Sequence, residues 1–435
     1  MKQLTNISTE LVLKVARLIR KVVPSKLFET LTSPYHFFLA WLGSIVYGHP
    51  SREIKVVGVT GTKGKSSVVE ITNAMLEGTG HTTAVSGTVQ FKIAGKTEEN
   101  KLKQTMPGRF FLQRMMRQAV DAGCEWFVLE STSEGAKQHR NRFIEYDCLI
   151  FTNLAPEHIE AHGSYEKYRD AKLSIARNSL VKSKKPSTLI ANGDDKETPH
   201  FLALDVDTKI TFSLQDLVAL DVKQVGIDFE YQGVPFSSPL TGEFNVRNLL
   251  AVIKFGEAFG IALPDMADAL KDFGHIPGRV QRVNVSHKQD FEVVVDYAHT
   301  PDSLEAIYKT FGHAQDRICI LGNTGGGRDQ WKRPVMAKLA EQYCDQIILT
   351  NEDPYDEDPL AILEQMREVI IDTPYEIVFD RRNAIFAAVE KAKKGDAVLI
   401  TGKGTDAFIM GPKGTRIPWS DSGIAEEALR KRYGN

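Results

Sequence analysis

Two rhythms of apolar residues alternate along this chain. Short apolar runs of strand length occur at Val56–Val59, Trp126–Leu129 and Asp147–Thr152. Between and after them lie stretches of helical period, covering 66–78 and the regions around 108–121 and 164–180. Strands alternating with helices in this way predict a parallel sheet covered by helices on its faces. Residues 188–240 are less regular, and a helix over about 245–260 follows Gly242. The pair Pro277-Gly278 reads as a hinge or linker. The alternation then resumes with strands at 291–295, 317–321, 345–350 and 397–401, and helices at 302–311, 333–343, 359–370 and 381–393. The expected fold is α/β in two domains, 51–276 and 277–435, after a helical segment over residues 1–50.

Within that first segment, Leu11, Val12, Val15, Leu18, Ile19 and Val22 recur at helical spacing, with Lys14, Arg17, Arg20 and Lys21 between them. A basic amphipathic helix of this kind can lie on an anionic membrane, although most such faces pack on a neighbouring domain. Residues 36–47 are apolar but fall short of the ~20 residues that a spanning helix needs, so a buried or interfacial helix is expected. No cleavable signal peptide is visible, which predicts a cytoplasmic protein.

Charge narrows the partners. The 435 residues carry 54 lysines and arginines against 56 acidic residues, so no global field draws the chain towards nucleic acid. Small-molecule substrates and a monomer are expected. Four cysteines, at 124, 148, 319 and 344, form no close pair and sit in or beside apolar runs; they read as buried thiols of a reducing compartment, not as disulfides or zinc ligands.

The candidate chemistry begins at residues 55–67, where an apolar strand runs into Gly61-Thr62-Lys63-Gly64-Lys65-Ser66-Ser67 and a helix. Gly61 and Gly64 let backbone amides curl around phosphate oxygens, and the helix turns its positive end to the same anion. Lys65 would reach the β- and γ-phosphates of ATP, and Ser66 would hold Mg2+. The strict phosphate-loop spacing would require a further glycine at 59, which is Val59, so a variant family is expected in place of a generic nucleotidase. Glu130 ends an apolar strand, where α/β sheets place ligands and a carboxylate can hold magnesium. His158 lies just past another strand, and Lys172 follows inside a helix.

These motifs, in this order, resemble the Mur ligase family, and within it the enzymes that add the third residue of the cell-wall peptide. The resemblance rests on Gly-Thr-Lys-Gly-Lys-Ser at 61–66, Leu-Glu-Ser-Thr-Ser at 129–133, Thr-Asn-Leu-Ala-Pro-Glu-His at 152–158 and Ala-Lys at 171–172. It continues with Gly-Glu-Phe-Asn-Val-Arg-Asn at 242–248, Pro-Gly-Arg at 277–279, Asp-Tyr-Ala-His-Thr-Pro-Asp at 296–302, Gly-Arg-Asp-Gln-Trp-Lys-Arg-Pro at 327–334 and Thr-Gly-Lys-Gly at 401–404. It implies a central phosphate-loop ATPase domain, a Rossmann-like C-terminal domain, and ligation through an acyl phosphate. By the same resemblance Glu130, His158 and Lys172 would hold a second magnesium ion, Lys172 as a carbamate. Asn245 and Asn248 would contact adenine, and Arg279 and Asp296 would reach the nucleotide from the last domain.

For the substrates, the resemblance assigns Thr105, Thr132 and Arg140 to a peptide-bearing acceptor and Arg333 to the carboxylate of the incoming free amino acid. Asp353, Tyr355, Gly402 and Asp406 fall where that family reads the amino-acid side chain. Here the sequence departs from the family. The recognition motif Asp-Asn-Pro-Arg for diaminopimelate is replaced by Glu352-Asp353-Pro354-Tyr355, and tyrosine cannot make arginine's bidentate contact. The acidity of Glu352, Asp353 and Asp356 instead suggests a basic side chain such as lysine or ornithine. The family's usual first domain, which grips the UDP end of the acceptor, has only the fifty-residue helical segment in its place. Folylpolyglutamate-type or other peptide ligases share Gly-Thr-Lys-Gly-Lys, and an idle ATP-binding homologue is the alternative outside catalysis.

Overall fold

The computed structural model describes residues 25–102, 104–157, 162–327 and 329–434, with side chains from Ser33 onward. Its first sheet has β1 (Lys55–Thr60) at the centre, flanked by β5 (Trp126–Glu130) and β6 (Cys148–Phe151), both parallel to it. Beyond β5 stands β2 (Thr83–Ser86), followed by an antiparallel edge of β3 (Gln90–Ile93) and β4 (Lys96–Glu99). Beyond β6 stand β7 (Thr188–Asn192) and β8 (Thr208–Phe212), giving the order β4-β3-β2-β5-β1-β6-β7-β8.

Period-two alternation in these strands divides the core into two layers. Val57, Val59, Val128 and Ile150 face the helices Lys65–Gly78 and Glu243–Ala258, while Val56, Leu129 and Phe151 face Arg109–Asp121 and Tyr165–Ser179. The stretch that looked irregular in sequence supplies β7 and β8 and a three-stranded antiparallel sheet of β9 (Val218–Val222), β10 (Ile227–Tyr231) and β11 (Val234–Ser238).

The second large sheet runs β12 (Gln281–Arg282), β13 (Glu292–Asp296), β17 (Ala397–Thr401), β14 (Arg317–Leu321), β15 (Gln346–Leu349) and β16 (Tyr375–Ile377) in spatial order. All but β12 are parallel, and buried apolar layers cover both faces. A hairpin of β18 (Phe408–Met410) and β19 (Arg416–Pro418) follows, then the helix Asp421–Tyr433.

One expectation changes. Cys319 in β14 and Cys344, which leads into β15, form a disulfide, whereas Cys124 and Cys148 are free and buried. The cause is topological: β14 and β15 are hydrogen-bonded neighbours, so residues 25 apart in sequence come to a Cα separation of 6.1 Å. The helix Ser25–Val46, expected to be buried or interfacial, buries Ala40 and Ser44 on one side and leaves Phe38, Trp41, Ile45 and Val46 exposed on the other. Lys14, Arg17, Arg20 and Lys21 lie outside the described residues. Among the described residues no helix is long and apolar enough to cross a membrane.

Candidate active site

The C-terminal ends of β1, β5 and β6 open into a cleft of about 1110 Å³ that the second sheet closes from the other side. The turn after β1 carries the phosphate-loop residues. Gly61 has φ +153°, and a Cβ there would stand 1.9 Å from Thr152 Oγ1. Gly64 caps the next helix at φ +79°, and a Cβ would stand 2.6 Å from Asn248 Oδ1. Only glycine tolerates both the left-handed backbone and the close approach at Gly64.

The segment after β6 clamps this turn. Thr62 N donates to Asn153 O at 2.9 Å, Lys63 N donates to Asn153 Oδ1 at 2.8 Å, and Thr152 Oγ1 donates to Lys63 O at 2.6 Å. Lys63 Nζ pairs with Glu157 at 3.3 Å, and His299 lies 3.4 Å from the same carboxylate, so Glu157 joins the turn to the second domain. Lys65 Nζ donates to Thr62 O at 2.8 Å; burial lowers its pKa, against the fields of Glu130 and Glu157.

Ser66 Oγ donates to Glu130 Oε1 at 3.0 Å, and Arg279 Nη2 donates to Ser66 Oγ at 3.2 Å across the domains. The other Glu130 oxygen accepts Thr88 N at 2.8 Å. Lys172 is 1% exposed and donates to Gly61 O at 2.5 Å. Its desolvation, reinforced by the Lys65 charge, holds its pKa well below the ordinary lysine range. His158 lies outside the described residues.

Asn245 and Asn248 share one face of their helix, joined by an Asn248 Nδ2 to Asn245 Oδ1 bond of 2.9 Å; Asn248 lines the cleft, whereas Asn245 turns back to Thr241 O. Asp296 accepts Val280 N and Ala298 N, each at 2.7 Å, and thereby shapes the crossing strand; its burial raises its pKa. Arg279 lies over the Tyr297 ring.

At one end of the cleft stand Thr105, which accepts from Thr88 Oγ1 at 2.8 Å, Thr132, which caps the short helix Ser133–Lys137, and Arg140. At the other stand Tyr355, Gly402, Asp353, Asp406 and Glu352. Lys403, 1% exposed, is shared by Asp353 at 2.8 Å and Asp406 at 3.1 Å, so two carboxylates face one ammonium and the trio is left net acidic. Glu352 Oε1 accepts from Thr324 Oγ1 at 2.8 Å, but Oε2 is buried without a partner.

Arg333 departs from its expected place. It is fully buried, pairs with Glu357 at 2.8 Å and donates to Gln365 at 3.0 Å, off the cleft. Of the two adjacent cations on this helix, it is Lys332 that lines the cleft. Helical geometry turns adjacent residues to different faces, and the sequence does not tell which of the two points inward. Thr88, Asn153 and Tyr168, whose hydroxyl lies 3.0 Å from Thr62 Oγ1, were not singled out by sequence, because none carries a signature.

Any magnesium held here needs hard oxygen donors. Ser66 and Glu130 supply a hydroxyl and a carboxylate in contact, and a carbamate on Lys172, whose pKa burial lowers, would add another oxygen donor, so the residues fit such an ion. Among the described residues no three His, Cys, Asp or Glu side chains cluster as a metal site on their own.

Comparison with known proteins matches residues 59–256 to the Mur ligase middle domain and 278–404 to the Mur ligase glutamate ligase domain. The UDP-N-acetylmuramoyl-L-alanyl-D-glutamate–2,6-diaminopimelate ligase of Bacillus cereus is 34% identical over 411 residues, 91% of this chain and 82% of that protein. Its namesake from Synechocystis sp. is 35% identical over 91% of this chain and 79% of its own length. A solved structure of a ligase of that name is 28% identical, with a TM-score of 0.60 over 87% of this chain and 79% of that one. Mycobacterium tuberculosis folylpolyglutamate synthase, in complex with ADP and AMPPCP, is 17% identical and superposes with a TM-score of 0.70 over 97% of this chain and 98% of its own, a likeness of fold.

Proposed function

This chain belongs to the Mur ligase family, an ATP-dependent ligase of peptidoglycan precursor synthesis, and from that premise we propose that it adds lysine or ornithine to a muramoyl-dipeptide-like acceptor. The acceptor carboxylate attacks the γ-phosphorus of ATP, ADP leaves, and an acyl phosphate forms. The amine then attacks the acyl carbon, phosphate leaves from the tetrahedral intermediate, and the nitrogen gives up its proton. The products are an amide, ADP and phosphate.

The observation that carries this reading is the continuity of the cleft. It runs from the phosphate turn, past Glu130 and Lys172, to Arg140 on one side and Glu352 on the other, room for three substrates in a row. Phosphoryl transfer depends on positioning and charge neutralisation, which Lys65 and Arg279 would provide at the transferring phosphate. Magnesium, held by Ser66, Glu130, His158 and carbamylated Lys172, would supply further positive charge at the phosphate oxygens.

For the amine, the relatives are named for 2,6-diaminopimelate, but Tyr355 offers no guanidinium to a second carboxylate. Glu352 Oε2 is an unmatched acceptor suited to an ammonium, and Lys332 beside it is suited to the α-carboxylate. The test is to supply UDP-muramoyl-dipeptide, ATP and magnesium with a panel of amino acids and read products by mass spectrometry. Lysine or ornithine adducts are expected. No adduct with any amino acid overturns the ligase reading, and an adduct with diaminopimelate alone overturns the amine reading.

A further inference from the structure

Arginine and histidine side chains gather where the helix Ser25–Val46 meets the helix Arg109–Asp121 and the turn after Lys137. His36 feels the fields of Arg109, His139 and Arg140, and His139 feels those of Arg142 and Arg109. None of these five groups forms a salt bridge among the described residues. Their contacts are neutral: Arg109 donates to Gln138 O at 2.7 Å, Arg140 to Gln138 Oε1 at 2.8 Å, Gln104 Oε1 at 3.3 Å and Met106 O, and Ser33 Oγ lies 2.9 Å from His139 Nε2. Arg142 lies over the Phe37 ring. Among the described residues the one carboxylate acting on the group, Glu134, is engaged by Gln138 Nε2 at 2.7 Å.

Such a gathering is unfavourable by itself. Burial and mutual repulsion lower the pKa of His36 to about 4 and that of Arg109 to about 10. His36 Nδ1 and the Nε atoms of Arg109, Arg140 and Arg142 are buried without partners. His139 and Phe143 hold left-handed backbone at φ 55° and 61°, strain of the kind that collects at ligand sites. The group also adjoins the cleft, because Arg140 and Gln104 line its acceptor end. Three guanidinium forks and two imidazoles offer more donors than one carboxylate accepts, and they match the oxygens of linked phosphates.

We propose that His36, Arg109, His139, Arg140 and Arg142 bind the diphosphate that tethers the acceptor to its carrier, which makes the helix Ser25–Val46 part of the acceptor site. The proposal rests on the ligase reading for the identity of the acceptor, but not for the binding itself.

The test is calorimetric titration of the full chain, its ATP site saturated with AMPPCP, with UDP and with geranyl diphosphate. Binding of either probe is expected, and Arg109→Gln with Arg142→Gln should weaken it roughly tenfold or more. UDP alone would point to a nucleotide carrier, geranyl diphosphate alone to a lipid carrier, and both support the site. No binding of either probe overturns it, as does undiminished binding by the double variant. The pair Arg109→Lys and Arg142→Lys retains the charge but not the forks and should lose less affinity than the glutamine pair; equal loss in both pairs would assign the effect to packing and overturn the proposal. Bound diphosphate should also raise the titration of His36 above about 4, read by NMR. Intact probe binding without ligation of any muramoyl-dipeptide would instead refute the ligase reading.

Discussion

Replacing Lys172 by methionine separates catalysis from stability. Methionine has similar length, so the variant loses one hydrogen bond, worth about 1 kcal/mol, and leaves the Gly61 carbonyl short of a donor, a further ~1–2 kcal/mol. Against this stands the cost of burying the amine. Folding lowers the pKa of a group that is charged when unfolded, which costs about 1.4 kcal/mol for each unit of the lowering that lies above the working pH. The two effects oppose, so the variant should melt within a few degrees of wild type. The sign with pH is definite. Between the lowered folded pKa and about 10.4 the unfolded state binds more protons, so wild-type stability rises with pH across that window, while the variant lacks this slope. In buffer free of carbon dioxide, scanning calorimetry at rising pH should therefore show wild type gaining on Lys172→Met.

Activity should respond far more. An ordinary lysine is neutral in only about one molecule per thousand at pH 7.5, whereas the lowered pKa of Lys172 raises the fraction with a free lone pair, the form that would add carbon dioxide. Without the carbamate, ligation should fall by roughly 10²–10³-fold, the scale of losing one preorganised charge contact. Bicarbonate labelled with carbon-13 should give a carbamate signal in wild type that the variant lacks. Wild-type turnover in Lys172→Met, or a stability difference that does not change with pH, would refute the reasoning.

Gly64→Ala would place a Cβ 2.6 Å from Asn248 Oδ1 at a backbone φ of +79°; a rise in the KM for ATP and a stability loss of about 1–2 kcal/mol are expected, and unchanged values of both would remove the turn from the nucleotide site. Lys65→Ala should abolish ligation while the melting temperature holds, with turnover assay as the check. Tyr355→Arg should shift preference towards diaminopimelate, read as the ratio of kcat/KM for the two amines; an unchanged ratio would mean that position 355 does not read the side chain. Arg381→Ala strands Asp421, which is fully buried and paired with it at 2.7 Å, so a loss of about 3–5 kcal/mol is expected on thermal melting.

The sequence alone determined the parts that depend on local pattern. Strands 317–321 and 397–401 were legible to the residue, because parallel strands buried on both faces are continuous apolar runs. The glycine turn at 61–64 was legible as well, since its glycine spacing and the following helix are set within about ten residues. What escaped was decided by neighbours distant in sequence. β7 and β8 were hidden in the irregular stretch, because their alignment beside β6 stabilises them more than their own composition does. The Cys319–Cys344 bond depends on two strands lying side by side, and the choice of Lys332 over Arg333 depends on how one helix is rotated against its sheet. The cluster of His36, Arg109, His139, Arg140 and Arg142 has no linear signature at all. Its members come from a helix, a second helix and a turn, and the packing that brings their charges together is a property of the folded chain.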